Sequence, residues 1–297
     1  PGARGMSVLP EATETMLYLV GIARAGHLAG FQCHGIEPVP GSTEQGSFSA
    51  NADASGAHAV TIDAGGVPLD ALVVEVPRDL FTGSDAEDRL QDVTWLRPRA
   101  ERHEAIIRKA RARTAMMPVG FGSVFSGEEA LGVTLAEHAQ AVLDYLDETD
   151  NCDEWSLKAW VSRRDAIERA KAAIAEDQAA RSGDGAAYLR ARRLEGEAET
   201  LAEDHALALV EGLIEDLGET IVDAAERRAT SVDDDPDRWL IAHVALLIDR
   251  DTRAAFDERL DHLAADLDRE GLHLELTGPW SPYSFCPPLG TQADDNP

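Results

Sequence analysis

The apolar positions change period several times along the 297 residues, and each change marks an element. Leu17, Leu19, Val20 and Ile22, closed off by Gly26, predict a buried strand over Met16–Ala23. Ala59–Ile62 and Leu69–Val76 predict two more, joined as a hairpin by the turn pair Gly65–Gly66. Residues 35–56 are rich in glycine, proline, serine and asparagine without an apolar period. They read as a long polar loop, mobile at its centre. Ser84 and Asp85 mark the start of a helix running toward Leu96, with a break or restart at Pro98. A second helix then carries His103, Ile106, Ile107 and Ala110 on one face. Met116–Phe125 reads as a glycine-rich strand, and Ser126 as the cap of a helix with Leu131, Leu135, Val142 and Leu146 at helical spacing. The order β-β-β-α-α-β-α predicts an α+β layer with one sheet face covered.

Asp150–Asp153 reads as a polar hinge and domain boundary. Beyond it Trp155, Leu157, Ala159 and Val161 alternate, as in a half-buried strand. A helix follows from about Arg164 to Ala180, broken by Gly183 and Gly185, and a longer one from about Ala186 to Ala225. On the latter Leu207, Val210, Ile214, Leu217 and Ile221 form a heptad-like seam of about two heptads, better suited to packing on a sheet or hairpin than to a coiled coil. A short edge strand within Ala224–Val232 and the acidic turn Asp233–Pro236 lead to Trp239–Ile248, expected to be the best-buried strand. Asp251 or Thr252 caps a helix lined by Phe256, Leu260, Leu263 and Leu267; Gly271 ends it, and Leu272–Leu276 closes the sheet. The order β-α-(helical insert)-β-β-α-β is a ferredoxin-like split βαβ. The expected organisation is an N-terminal α+β domain over 1–152 and a ferredoxin-like C-terminal domain over 153–278, with a helical insert at about 164–225. Residues 279–297 form a tail packed at the domain interface.

Charge changes the picture next. Asp and Glu number 55 against 27 Lys and Arg, a net −28, and Lys109, Lys158 and Lys171 are the only lysines. A dense acidic surface nearly free of lysine fits solvation in concentrated salt, where screening relaxes self-repulsion; a merely acidic protein of a high-GC genome is the alternative. Nucleic acid is excluded as a partner on either account, because phosphate is repelled. The three cysteines, Cys33, Cys152 and Cys286, are odd in number and far apart, which suits a reducing, intracellular setting better than a disulfide framework. Pro1–Gly5 reads as residues added ahead of Met6, with no signal peptide after them. No apolar run is long enough to span a bilayer.

The tail, Leu276-Thr277-Gly278-Pro279-Trp280-Ser281-Pro282-Tyr283-Ser284-Phe285, is the most distinctive stretch. Its prolines forbid helix and central strand. Its aromatics each bury roughly 150–250 Å² when covered. That gain is close to the ordering cost of ten residues, so the tail should dock only in a ready-made groove. Gly278, Pro279, Trp280, Pro282, Tyr283 and Phe285 are therefore expected to act as an internal clamp. The run also resembles the carboxy-terminal signature of the gas vesicle protein GvpF/GvpL family, with Ser281 in place of the first proline of a pair. Tyr18–Ile22, Asp92–Leu96 with His103–Ile106, Met117–Phe125 and Glu154–Lys158 resemble further family segments in the same order.

No catalytic constellation emerges from the residues. His103-Glu104 opens a zincin-like pattern, but Ile107 stands where the second ligand belongs. Gly120-Phe121-Gly122 has Phe125 where a dinucleotide loop needs glycine, and close backbone packing is the better account. Ser123 and Ser126 lack the glycines of a nucleophile elbow. Cys33-His34 as an activated thiolate pair is disfavoured, since sequence neighbours rarely face each other. Asp147-Glu148 reads as solvated charge, and Trp95, Trp155, Trp160 and Trp239 as core. The expectation is a protein without catalytic, cofactor or metal residues. The resemblance implies a minor structural or assembly component of gas vesicle formation, at the vesicle or in the cytoplasm during assembly. Its implied partners are the main shell protein and other accessory gas vesicle proteins. The alternative is a small-molecule enzyme or sensor on a ferredoxin-like scaffold.

Overall fold

In the computed structural model the described residues are 15–36, 56–179, 187–227, 235 and 237–289, with side chains of 177–179 and 187–194 left aside. Most of the polar loop at 35–56, the Gly183/Gly185 break and most of the acidic turn at 233–236 lie outside them. The chain is mixed helix and sheet, and it groups into two compact units, Pro1–Asp150 with Cys286–Pro297, and Asn151–Phe285.

The first unit begins with β1 (Thr15–Arg24), β2 (Gln32–Cys33), β3 (Ala57–Ala64) and β4 (Val67–Pro77). β3 and β4 form the expected hairpin; Gly65 and Gly66 turn it with φ of +67° and +93°, a backbone that glycine adopts without strain. Then come α1 (Arg78–Phe81), α2 (Ala86–Gln91), α3 (Val93–Arg111), β5 (Met117–Pro118), β6 (Val124–Phe125) and α4 (Glu128–Glu148). The sheet order is β2-β3-β4-β1-β5, with β6 also on β1.

Four expectations are corrected here. The helix break falls at Asp92, not Pro98: the Asp92 carboxylate accepts the N–H of Thr94 at 2.9 Å and starts α3, which continues through Pro98. Met116–Phe125 is not one strand but two dipeptides on β1, separated by a turn in which Gly122 has φ +95°. Gly127, not Ser126, occupies the cap of α4, without a side-chain bond. Both sheet faces are covered rather than one. Tyr18 pairs with Val74 and Arg24 with Leu69 across the ladder, positions of opposite parity on β4 and hence opposite faces. Tyr18 meets His103 of α3, while Arg24 meets Asp147 of α4. Leu69 to Val74 are accordingly buried without interruption.

The second unit runs β7 (Cys152–Ser162), α5 (Arg163–Ala179), α6 (Ala187–Leu217), β8 (Asp223–Glu226), β9 (Arg238–Asp249), α7 (Arg253–Arg269) and β10 (Leu272–Trp280), all strands antiparallel in the order β10-β7-β9-β8. One sheet face carries Leu157, Ala159, Val161, Leu246, Ile248 and Leu272. Ala166 and Ala170 of α5, the stripe Ala198–Ala202–Ala206–Val210–Leu213–Leu217 of α6, and Phe256, Leu260 and Leu267 of α7 close over it. The long helix stops at Leu217, earlier than expected, because a 3-10 turn at Gly218–Thr220 carries the chain on. Leu207, expected on the seam, is exposed. β9 is not the best-buried strand, since only Ala245–Ile248 are fully buried. Gly271 follows α7 with φ +79°, as a helix C-terminus requires.

Candidate interaction site

The tail residues are placed by β10 and by one carboxylate. β10 is an edge strand and runs past the predicted stop to Trp280, with a bulge between Thr277 and Trp280 that accommodates Gly278–Pro279. Gly278 has φ +152°, and a Cβ there would stand 2.8 Å from the Trp155 ring, so the backbone lies directly on the indole. Pro279 and Trp280 are exposed, Trp280 at 50%, which corrects the expectation that this ring is covered; its Nε1 donates to the Thr277 carbonyl at 3.1 Å. Ser281 and Pro282 are buried, and Tyr283 and Phe285 are half-buried in a 3-10 turn. Glu154 of β7, 2% exposed, holds that turn: its Oε2 accepts the backbone N–H of Ser284 at 2.8 Å and its Oε1 the hydroxyl at 2.9 Å. In the first unit, the next residue but one is fixed too. The Cys286 thiol donates to the Pro118 carbonyl at 3.4 Å and bonds the buried Tyr145 phenol, whose ionisation burial pushes up.

The four tryptophans expected in the core share an arrangement that sequence reasoning missed. Each is half-buried and lies beneath a guanidinium. Arg99 stands 4.1 Å from the Trp95 ring, Arg253 3.4 Å from Trp155, Arg238 4.6 Å from Trp160 and Arg163 5.8 Å from Trp239. The four-residue spacing of Trp95 and Arg99 on α3 was a readable signal; the others are long-range. Arg253 is held flat by a bidentate pair with Asp257 at 2.9 and 2.6 Å.

None of the sequence candidates assembles into a reaction centre. His103 is 3% exposed, donates from Nε2 to the Val119 carbonyl at 3.0 Å and accepts the Tyr18 hydroxyl on Nδ1 at 2.8 Å. Burial lowers its pKa to about 4, so it is a neutral structural bridge. Tyr18, Phe81, His103 and Phe121 pack around that bridge with ring centroids 5.1–5.8 Å apart, edge-on except for the tilted Tyr18–Phe81 pair. Burial pushes the Cys33 thiol up to about 11, the opposite of an activated thiolate. Gly120 and Gly122 face open space, which overturns close packing as their reason; Gly122 serves its positive φ. Ser123 donates to the Gly120 carbonyl at 2.9 Å. Asp147 is bound to Arg24 rather than simply solvated. A cavity of about 310 Å³ between α5 and α6 is lined mainly by Val161, alanines, Leu201 and Leu209, with Arg169, His205 and Glu270 as its charged or polar members. Among the described residues no group of three or more His, Cys, Asp or Glu could hold a metal ion, and no helix is long and apolar enough to cross a membrane.

The family model described as gas vesicle synthesis protein GvpL/GvpF matches residues 34–287. The chain belongs to the GvpL/GvpF family.

Relatives within and near the family agree. A gas vesicle protein L of Streptomyces sp. is 27% identical over 73% of this chain and 80% of its own length, and gas vesicle protein L1 of Halobacterium salinarum is 25% identical over 72% and 78%. The crystal structure of gas vesicle protein GvpF from Anabaena sp. matches with TM-score 0.64 at 17% identity, covering 92% of this chain and 99% of that one. That of GvpF from Microcystis aeruginosa matches with TM-score 0.56. The GvpL/GvpF match takes in the Glu154–Ser284 pair and the whole aromatic tail, while Tyr18–Ile22 lies ahead of it.

Proposed function

We propose that this GvpL/GvpF protein is a non-enzymatic accessory protein of gas vesicle formation, acting in assembly or nucleation through contacts with the main shell protein and other accessory gas vesicle proteins. The observation that carries the reading is the family match over residues 34–287, joined by structural likeness to GvpF along nearly the whole chain. Work at the vesicle, and in the cytoplasm during assembly, belongs to the same proposal. So does the division into an N-terminal α+β domain and a ferredoxin-like C-terminal domain, which the order β10-β7-β9-β8 supports.

The tail is proposed as a fastening. Ser284 is anchored on Glu154 of the second unit and Cys286 on Pro118 of the first, so two consecutive anchors restrain the chain where it passes from one unit to the other. Trp280, half exposed at the end of an edge strand, is left for a partner. The enzyme alternative is not favoured, because the helix-lined cavity brings few polar groups together. The test is deletion of the gene in a vesicle-forming host, followed by electron microscopy and flotation. Absent or misshapen vesicles, restored by the intact gene, are expected; normal buoyant vesicles would contradict the proposal.

A further inference from the structure

The face of the second sheet turned away from the helices carries charge of the wrong sign for this chain. Alternating with Leu157, Ala159 and Val161 of the core, β7 presents Ser156, Lys158 and Trp160 on that face. The register places Lys158 beside His243 of β9 and Glu275 of β10, and Trp160 beside Leu240 and His273. Arg227 joins the cluster by donating its backbone N–H to the His243 carbonyl at 2.8 Å. The neighbouring carboxylates are already committed. Glu275 holds Arg238 at 2.8 Å, Asp268 holds His273 at 2.7 Å, and Glu154 binds Ser284 with Arg227 only at 3.4 Å. Lys158 makes no hydrogen bond or ion pair among the described residues. Of the other two lysines, Lys171 has Glu168 at 2.8 Å and Lys109 has the Gln32 carbonyl at 3.2 Å.

In a chain with 55 acidic residues, a half-buried lysine whose neighbouring carboxylate, Glu275, pairs with Arg238 instead, and whose other neighbour is His243 with Arg227 beyond it, is an unfilled position among the described residues. The crowding of positive charge shows in His243: burial first, then Arg227 and Lys158, hold its pKa below the usual imidazole range. Burying like charges together is unfavourable until an anion joins them. The surroundings favour a polypeptide over a free anion. Lys158, His243 and Leu240 are each partly exposed, without the converging backbone N–H groups of an anion nest. Leu240, partly exposed across the ladder from Trp160, offers apolar contact to a side chain, while the Trp160 ring itself carries Arg238 and His273.

We propose that this sheet face receives an acidic polypeptide segment, one carboxylate meeting Lys158 with Arg227 and His243 alongside, and an aliphatic neighbour resting on Leu240. Local charge complementarity of this kind selects register and partner more than it adds affinity. The inference goes beyond the vesicle proposal and stands on the sheet face alone. Its test is read by peptide binding, so it can fail while a deletion strain still loses its vesicles, or the reverse.

The experiment uses the full chain and a fluorescent peptide alternating Asp or Glu with Leu, followed by anisotropy. Saturable binding is expected, weakened about tenfold in Lys158→Gln, the loss of one charge-assisted hydrogen bond. Lys158→Arg should bind like the parent, as should Lys171→Gln, whose lysine pairs on the surface of α5. The NMR titration of His243 should shift upward in Lys158→Gln, and upward again when peptide binds. No binding, equal loss in both Gln variants, or inorganic phosphate binding as tightly as the peptide would each overturn the proposal.

Discussion

Glu154 and Ser284, 130 residues apart, form a two-bond lock: one carboxylate takes both the backbone N–H and the hydroxyl of the serine, at 2.8 and 2.9 Å. The acid is almost wholly buried on β7, so its charge is answered inside the protein. Replacing it exposes the weakness of everything after Trp280. Glu154→Ala should cost about 2–4 kcal/mol, from two charge-assisted bonds and the donors left behind. A fall of several degrees in thermal midpoint is expected, with faster proteolytic cutting near residue 284. An unchanged midpoint would show that the turn is held by other contacts.

Gly278 tests the same segment from the backbone side. Its φ of +152° suits glycine, and a Cβ would collide with the Trp155 ring at 2.8 Å and crowd the Glu154 carbonyl at 3.1 Å. Because Arg253 already covers Trp155, the ring is not free to retreat. Gly278→Ala should therefore destabilise by about 1–3 kcal/mol and alter tryptophan fluorescence. Parental stability and spectrum would show that the strand end can shift.

His103 predicts an acid response of the first unit. An unfolded histidine titrates near 6.5, whereas burial holds the folded one at about 4. Between those values the unfolded chain binds the extra proton. The contribution is thus complete above pH 6.5 and is lost as pH falls toward 4, about 3 kcal/mol for this group. His103→Gln should flatten the stability difference between pH 6.5 and 4 in denaturant titrations. Parallel pH profiles for the two proteins would contradict the buried neutral bridge.

Salt should stabilise the fold. At −28 the surface repels itself, and the Debye length shrinks from about 10 Å at 0.1 M to about 3 Å at 1 M. The thermal midpoint should rise over that range by calorimetry. A falling midpoint would mean that surface ion pairs such as Arg250–Asp153 outweigh the repulsion.

How far the sequence could be read follows from where its signals are local. The Gly65–Gly66 hairpin, the buried face of α3 and the stop at Gly271 are set by residues within a few positions of one another, and they appear as expected. Boundaries set by tertiary contact were misjudged. The apolar spacing through Leu217 and Ile221 continues unbroken while the backbone passes from helix to 3-10 turn, because both residues face the same core. Pro98 looked like a break, but Asp92 caps the helix more decisively than a proline interrupts it. The second covered face of the first sheet had a local sign in the uninterrupted run Leu69–Val74 of β4, but which helices cover the two faces depends on His103 and Asp147, far along the chain. At the tail, composition singled out the stretch but neither the exposure of Trp280 nor Glu154, whose role depends on a partner 130 positions away. The arginines over the tryptophans were invisible for the same reason, apart from Trp95 and Arg99.

The central claim is that this family member works by contact with vesicle proteins, and affinity purification answers it most directly. The tagged chain, expressed with its gas vesicle gene cluster and recovered at high salt, should bring down the main shell protein in proportion to its own amount. Trp280→Ala should weaken that recovery while leaving the protein folded. Recovery of the intact chain free of shell and accessory vesicle proteins would contradict the account.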